Sequence, residues 1–227
     1  MMIAVVILLQ GAGCTKQQGA KITQENIREV LTQYGKDNPE DEVIIETKSG
    51  VIHLKLYADT PLHRANFVKL IKEGHYEEAD FYRIVSGFMI QGGDLKSMLE
   101  YTIPAEFSPN HFHKKGALSM ARVDDNNPGM ESSAAEFFII HGGPYRSEDV
   151  DDEARLLALS VTPEQKETYV AKGGYMALDQ KYTVFGEVID GFEVIDKIAS
   201  EKVYNEDRPL QRIPFTIRVV EAGPATK

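Results

Sequence analysis

Tryptophan is absent and cysteine occurs once, at Cys14, so no disulfide can form within the chain. Cations are scarce. Lys and Arg number 25 against 35 Asp and Glu, and the formal net charge of −10 argues against nucleic acid or an anionic membrane surface as a partner. The apolar run Met1–Leu9 is too short to cross a bilayer, which takes roughly 20 residues. No internal repeat or low-complexity tract is present, which excludes a repeat architecture. What remains is 227 residues with 42% hydrophobic content, enough for one domain with a sizeable core plus extensions.

One stretch is unusual: Phe81-Tyr82-Arg83-Ile84-Val85-Ser86-Gly87-Phe88-Met89-Ile90-Gln91-Gly92-Gly93-Asp94. If Phe81–Val85 is a strand, alternation sends Phe81, Arg83 and Val85 to one face and Tyr82 and Ile84 to the other. Gly87 breaks the run. A second short strand then divides Phe88 and Ile90 from Met89 and Gln91, and Gly92-Gly93 ends it. A guanidinium beside Phe88, Met89 and Gln91 has the makings of a small apolar pocket with fixed donors. The plainer reading is a buried hairpin whose arginine is paired to a carboxylate. A phosphate-binding loop is a poorer reading, because no Lys-Ser/Thr and no helix follow the glycines.

The stretch resembles the signature of the cyclophilins, the peptidyl-prolyl cis-trans isomerases: Phe-X-Arg-X-X-X-Gly-Phe-Met-X-Gln-Gly-Gly-Asp. Every fixed position is met between Phe81 and Asp94. Three later segments are similar to the family's other pocket walls. Gly116-Ala117-Leu118-Ser119-Met120-Ala121-Arg122 matches Gly-X-Leu-Ser-Met-Ala-Asn, with Arg122 in place of the asparagine. Glu136-Phe137-Phe138-Ile139 matches Gln-Phe-Phe-Ile, with Glu136 in place of a glutamine that both donates and accepts. Leu178 to Gly186 matches Leu-Asp-Gly-X-His-X-Val-Phe-Gly, with Tyr182 in place of the histidine. Ala177 stands where many eukaryotic members carry the tryptophan used by cyclosporin, which implies weak binding of that drug.

The resemblance runs from Glu42 to Glu221 and implies a mainly β fold, an eight-stranded antiparallel barrel closed by two α-helices. It implies isomerisation of X–Pro bonds with no cofactor and no metal. Arg83 is the implied catalytic residue. Phe88, Met89, Phe138 and Leu178 would hold the proline ring, Gln91 and the Ala121 backbone would fix the flanking peptide, and Arg122, Glu136 and Tyr182 would form the rim and wall. Proline-containing polypeptides are the implied partners. The alternative is a peptide-binding or chaperone module of the same fold with weak or no isomerase activity, favoured by the altered rim at Arg122 and Glu136.

Outside the signature the chain divides as follows. Residues 1–14 read as a secretory signal, and the small residues before Cys14 resemble the lipobox of bacterial lipoproteins. No basic residue precedes the apolar run, and Gly11 stands where that motif usually has leucine. The reading implies lipidation of Cys14 and an exported, membrane-anchored protein facing the periplasm or cell surface, with soluble secretion as the alternative. Residues 15–41 read as a tether and a helical extension: Thr23 caps a helix with Ile27, Val30, Leu31 and Tyr34 on one stripe, stopped by Gly35. Residues 42–222 form the barrel domain. Val43–Thr47 and Val51–Tyr57 read as a hairpin, and Thr60-Pro61 opens a helix that ends at Gly74. His111-Phe112-His113 would put two imidazoles on one strand face, but no carboxylate or cysteine stands at obvious ligand spacing, so they read as structural. A surface insertion covers about 143–174, with a capping box at Thr162-Pro163-Glu164-Gln165.

Overall fold

A computed structural model describes residues 21–93, 96 and 98–221. The signal-like segment, Cys14 and Asp94 lie outside the described residues. Eight strands form one antiparallel sheet: β1 (Glu42–Thr47), β2 (Gly50–Leu56), β3 (Asp80–Val85), β4 (Met89–Gly93), β5 (Ala117–Met120), β6 (Glu136–Ile140), β7 (Val184–Asp190) and β8 (Phe215–Val219). Their order is β3-β4-β6-β5-β7-β2-β1-β8. The two end strands meet. Phe81 N–H donates to the Ile213 carbonyl at 3.0 Å and Phe215 N–H to Ala79 at 3.3 Å, around an Asp80–Pro214 bridge. The sheet is therefore a nearly closed barrel, which removes exposed edges.

The β1–β2 hairpin turns through Lys48-Ser49, with Thr47 paired to Gly50. Two helices send apolar stripes into the barrel core. In α2 (Pro61–Lys72), Leu62, Ala65, Phe67, Val68 and Leu70 are buried, and Phe67 meets Phe137 and Phe185 edge-on. Pro61 occupies the first turn, where its missing N–H costs nothing, and Gly74 at φ +79° follows the helix end. The open N–H groups of that first turn are met by Glu106, which accepts from Leu62 and His63 at 3.0 Å each. His63 then links Glu106 (2.7 Å) to Ser132 (2.9 Å). Ser132 is 2% exposed, so this relay is structural. In α5 (Phe192–Ala199), Val194, Ile195 and Ile198 face the same core.

The helical extension lies against the barrel. α1 (Ile27–Asp37) packs on α2, and Ile27 and Leu31 join the main core. Two expected helix signals are displaced. Asn26 occupies the N-cap position and takes the Thr23 N–H at 2.8 Å, while Gly35 does not stop the helix. A Cβ on Gly35 would stand 3.1 Å from the Ala65 Cβ, so its glycine serves close approach of α1 to α2. The insertion carries α3 (Ser147–Leu157) and α4 (Pro163–Lys172). Its capping box is present: Gln165 N–H donates to Thr162 Oγ1 (3.2 Å) and Thr162 N–H to Gln165 Oε1 (2.9 Å). Val150, Ala154 and Tyr169 of the insertion pack with Met176, just beyond it, in a small separate core.

Candidate active site

β3 does not alternate simply. The register slips between Phe81 and Arg83, leaving Tyr82 as an extra residue opposite Gly92-Gln91. Phe81 and Ile84 both enter the barrel core, so Phe81 does not share a face with Arg83 as strict alternation predicts. The bulge frees two consecutive side chains, Tyr82 and Arg83, for the outer site. Gly87 at φ +77° turns the chain into β4, and its N–H donates to His141 Nδ1 at 2.9 Å. Burial, helped by the nearby Lys115, lowers the His141 pKa and keeps that nitrogen an acceptor. Met89 and Gln91 then face the site while Ile90 enters the core, and Phe88 sits before the strand against Tyr175, ring centroids 4.2 Å apart.

A cleft of about 200 Å³ is lined by Arg83, Phe88, Met89, Gln91, Ala121, Arg122, Phe138, Leu178 and Tyr182. Nine residues from four separated segments, each expected from the sequence, converge on one hollow. Its floor is apolar: Met89 and Phe138 are buried, and Tyr182 stands edge-on to Phe138 at 5.8 Å. Phe138 is backed on its other neighbour by the buried His113 ring, nearly parallel at 6.2 Å.

Glu136, expected at this rim, is absent from the cleft lining. It lies two residues before Phe138 on β6, a step of roughly 7 Å along the strand. It lines a neighbouring hollow of about 360 Å³ with Asp125 and Glu131. Its Oε2 accepts the Tyr82 hydroxyl at 2.8 Å, and Gln91 Nε2 donates to the same hydroxyl at 2.7 Å. Burial and the Glu136 charge push the Tyr82 pKa up, so the hydroxyl stays protonated and donating. Gln91 thereby turns its Oε1 toward Arg83, whose Nη1 donates to it at 3.4 Å. Arg83 Nη2 also pairs with Asp207 Oδ2 at 3.2 Å. Tyr82 and Asp207 are site residues that the sequence did not single out.

The Ala121 backbone is already engaged: its N–H donates to Glu136 O (2.9 Å) and its carbonyl accepts from Ser133 (2.7 Å). The backbone groups left for a peptide are those of Arg122, which hydrogen-bond to none of the described residues. The Arg122 side chain is held at the edge of the cleft. It lies on the Tyr182 ring, Cζ 4.3 Å from the centroid, held by Asp124 (2.6 Å) and the Lys181 carbonyl.

The two imidazoles at His111 and His113 do not share a strand face, since that segment is not a strand. His111 stacks on Tyr57 and meets Asp59 at 2.7 Å, whereas His113 is buried with Nδ1 2.8 Å from Asp179. Each is occupied by its own carboxylate. Among the described residues there is no group of three His, Cys, Asp or Glu able to hold a metal ion.

The family model described as cyclophilin type peptidyl-prolyl cis-trans isomerase/CLD matches residues 42–221. A Staphylococcus aureus protein named "Putative peptidyl-prolyl cis-trans isomerase" is 36% identical over 183 residues, covering 77% of this chain and 88% of its own. A Staphylococcus saprophyticus protein of the same name is 35% identical over 192 residues, covering 80% and 93%. Among solved structures, a Cryptosporidium parvum cyclophilin type peptidyl-prolyl cis-trans isomerase aligns at TM-score 0.59 and 22% identity, over 81% of this chain and 99% of its own. The same protein solved in the presence of the dipeptide Ala-Pro aligns at TM-score 0.58. At that identity the structural likeness speaks for the fold.

Proposed function

The chain belongs to the cyclophilin-type peptidyl-prolyl cis-trans isomerases, and on that premise we propose that Arg83 drives rotation of X–Pro bonds in exported polypeptides. The observation that carries this reading is a guanidinium, with N–H groups left unpaired among the described residues, at the edge of a small cleft with an apolar floor. Rotation about the X–Pro bond faces a barrier of about 18–20 kcal/mol because amide resonance is lost. As the bond twists, the proline nitrogen regains a lone pair that the planar amide lacks. A hydrogen bond from Arg83 to that lone pair exists only near the transition state, so it lowers the barrier without tightening ground-state binding.

The rest of the cleft supplies position. Phe88, Met89, Phe138 and Leu178 take the proline ring, and the open backbone of Arg122 pairs with the peptide ahead of it. No nucleophile, proton transfer or cofactor enters this scheme. A protease-coupled assay on a short X–Pro peptide tests it. Acceleration of cis-to-trans conversion is the expected result, and a rate equal to the uncatalysed one would leave only a peptide-binding module.

Substrate charge is expected to matter at the neighbouring hollow. Glu136, Asp125 and Glu131 make it acidic, so peptides with acidic flanks are disfavoured and basic flanks favoured. Glu136→Gln keeps an acceptor for Tyr82 and removes one charge. It should raise kcat/KM on acidic-flanked peptides about 2- to 5-fold, with the gain shrinking in high salt. Equal gains on neutral and acidic peptides would show that charge is not the reason.

Export is supported by the run Met1–Leu9, followed by small residues and Cys14. With Cys14 lipidated, the native protein partitions with membranes and Cys14→Ser releases it to the soluble fraction. Soluble native protein with an unmodified Cys14 would refute the anchor.

A further inference from the structure

The carboxylate that pairs with Arg83 comes from a segment with no apparent part in the barrel. Residues 202–210 form a small hairpin: Tyr204 N–H donates to Arg208 O at 2.9 Å, Leu210 N–H to Lys202 O at 2.8 Å, and Val203 bridges Pro209. Its tip is the tight turn Asn205–Asp207. Two consecutive non-glycine residues there have left-handed backbones, Glu206 at φ 65° and Asp207 at φ 59°. L-residues adopt that conformation at a cost that glycine avoids, and such strain tends to collect where a site needs it. Here it delivers Asp207 Oδ2 to 3.2 Å from Arg83 Nη2, across 124 positions of sequence.

Asp207 does not line the cleft. It holds Arg83 from outside while Gln91 holds Nη1 from the side, leaving the other N–H groups of the guanidinium without an acceptor among the described residues. We infer that Asp207 is a positioning residue for the isomerisation, fixing the Arg83 guanidinium so that its free N–H groups meet the twisted amide. The inference rests on the catalytic reading of Arg83.

Two effects of the pairing oppose each other. A nearby anion drains positive potential from the guanidinium and weakens its donation. It also orders a long side chain that otherwise samples many rotamers, and a fixed donor is worth far more than a wandering one. The side chains of Arg83 and Asp207 are 40% and 42% exposed, so solvent screens the first effect. Ordering wins, and loss of Asp207 slows the reaction.

The test compares Asp207→Ala, Asp207→Asn and Asp207→Glu with wild type and Arg83→Ala, measuring kcat and KM on one short neutral X–Pro peptide, with thermal melting. Asp207→Ala should lower kcat about 3- to 10-fold, with KM within about twofold and the midpoint within about 2 °C. Asp207→Glu should restore part of the rate and Asp207→Asn should fall between. In about 1 M salt the wild-type rate should move toward that of Asp207→Ala. An unchanged or faster Asp207→Ala overturns the inference. So does an equal loss in all three variants with a falling midpoint, which would mark collapse of the hairpin. If Arg83→Ala keeps its rate, the catalytic reading itself fails. If Arg83→Ala loses its rate and Asp207→Ala does not, only the role of Asp207 fails.

Discussion

Asp179→Ala is expected to destabilise the protein by about 3–5 kcal/mol, lowering the thermal midpoint by roughly 10 °C. The reason is the number of buried donors that depend on one carboxylate. Asp179 accepts the His113 N–H at 2.8 Å, stands 2.8 Å from His113 Nδ1, and accepts the Tyr169 hydroxyl at 2.6 Å. His113 and Tyr169 are fully buried, so water cannot replace what is lost. Among the described residues His113 Nε2 has no hydrogen-bond partner, so the ring has no other hydrogen bond to fall back on. Burial, with the Asp179 charge, drives the Tyr169 pKa far upward, so its hydroxyl remains a neutral donor across the accessible pH range.

The cost should reach the active site. Tyr169 belongs to α4, His113 backs Phe138, and Asp179 follows Leu178 of the cleft wall. The carboxylate therefore ties the insertion to two cleft residues. Denaturant unfolding and the isomerase assay should fall together in Asp179→Ala, while Asp179→Asn, which keeps one acceptor oxygen, should fall between. A midpoint within about 2 °C of wild type would show that the network contributes little.

Most of the cleft was legible because its residues sit on short local motifs whose spacing survives in one dimension. Phe88, Met89 and Gln91 come from one turn and strand, Ala121 and Arg122 from the end of another, and Phe138, Leu178 and Tyr182 from two more. Four such segments need no long-range reasoning once the barrel brings them together. The starts of α2 and α4 were legible for the same reason. Pro61 and the Thr162–Gln165 box act within a single turn.

What was not legible depends on pairing between distant segments. Strict alternation misplaced Phe81, since a bulge is a property of two strands and not of one. Tyr82 was passed over on the same account, though the bulge turns it toward Gln91 and Glu136. Gly35 reads as a stop in isolation and becomes a contact surface only when α2 is present. The Ala121 backbone looked available until Glu136 and Ser133 were seen to use it. The plainer reading of the strand arginine, pairing to a carboxylate, is met by Asp207 outside the cleft, a pairing that leaves the proposed catalytic role open to it.

Removal of Arg83 carries the largest expected effect on activity. In the proposed mechanism its hydrogen bond to the twisted amide forms over an apolar floor, and by analogy with donors to a developing oxyanion its loss should cost roughly 3–4 kcal/mol, or about 10²–10³ in rate. Arg83→Lys should rescue only part, because one ammonium cannot both keep the Gln91 and Asp207 contacts and reach the amide nitrogen. Stability should hardly change. The partly exposed pair with Asp207 is worth little to the fold, and the bulge that presents Arg83 is held by its neighbours Phe81 and Ile84 in the core.

The most direct measurement is therefore exchange spectroscopy on one short X–Pro peptide at equilibrium with wild type and with Arg83→Ala, read together with peptide affinity and melting. Catalysed exchange should collapse by about 10²–10³-fold in the variant while affinity shifts by no more than a few-fold and the midpoint stays put. A variant that melts like wild type and still exchanges the peptide at a near-native rate would contradict the account.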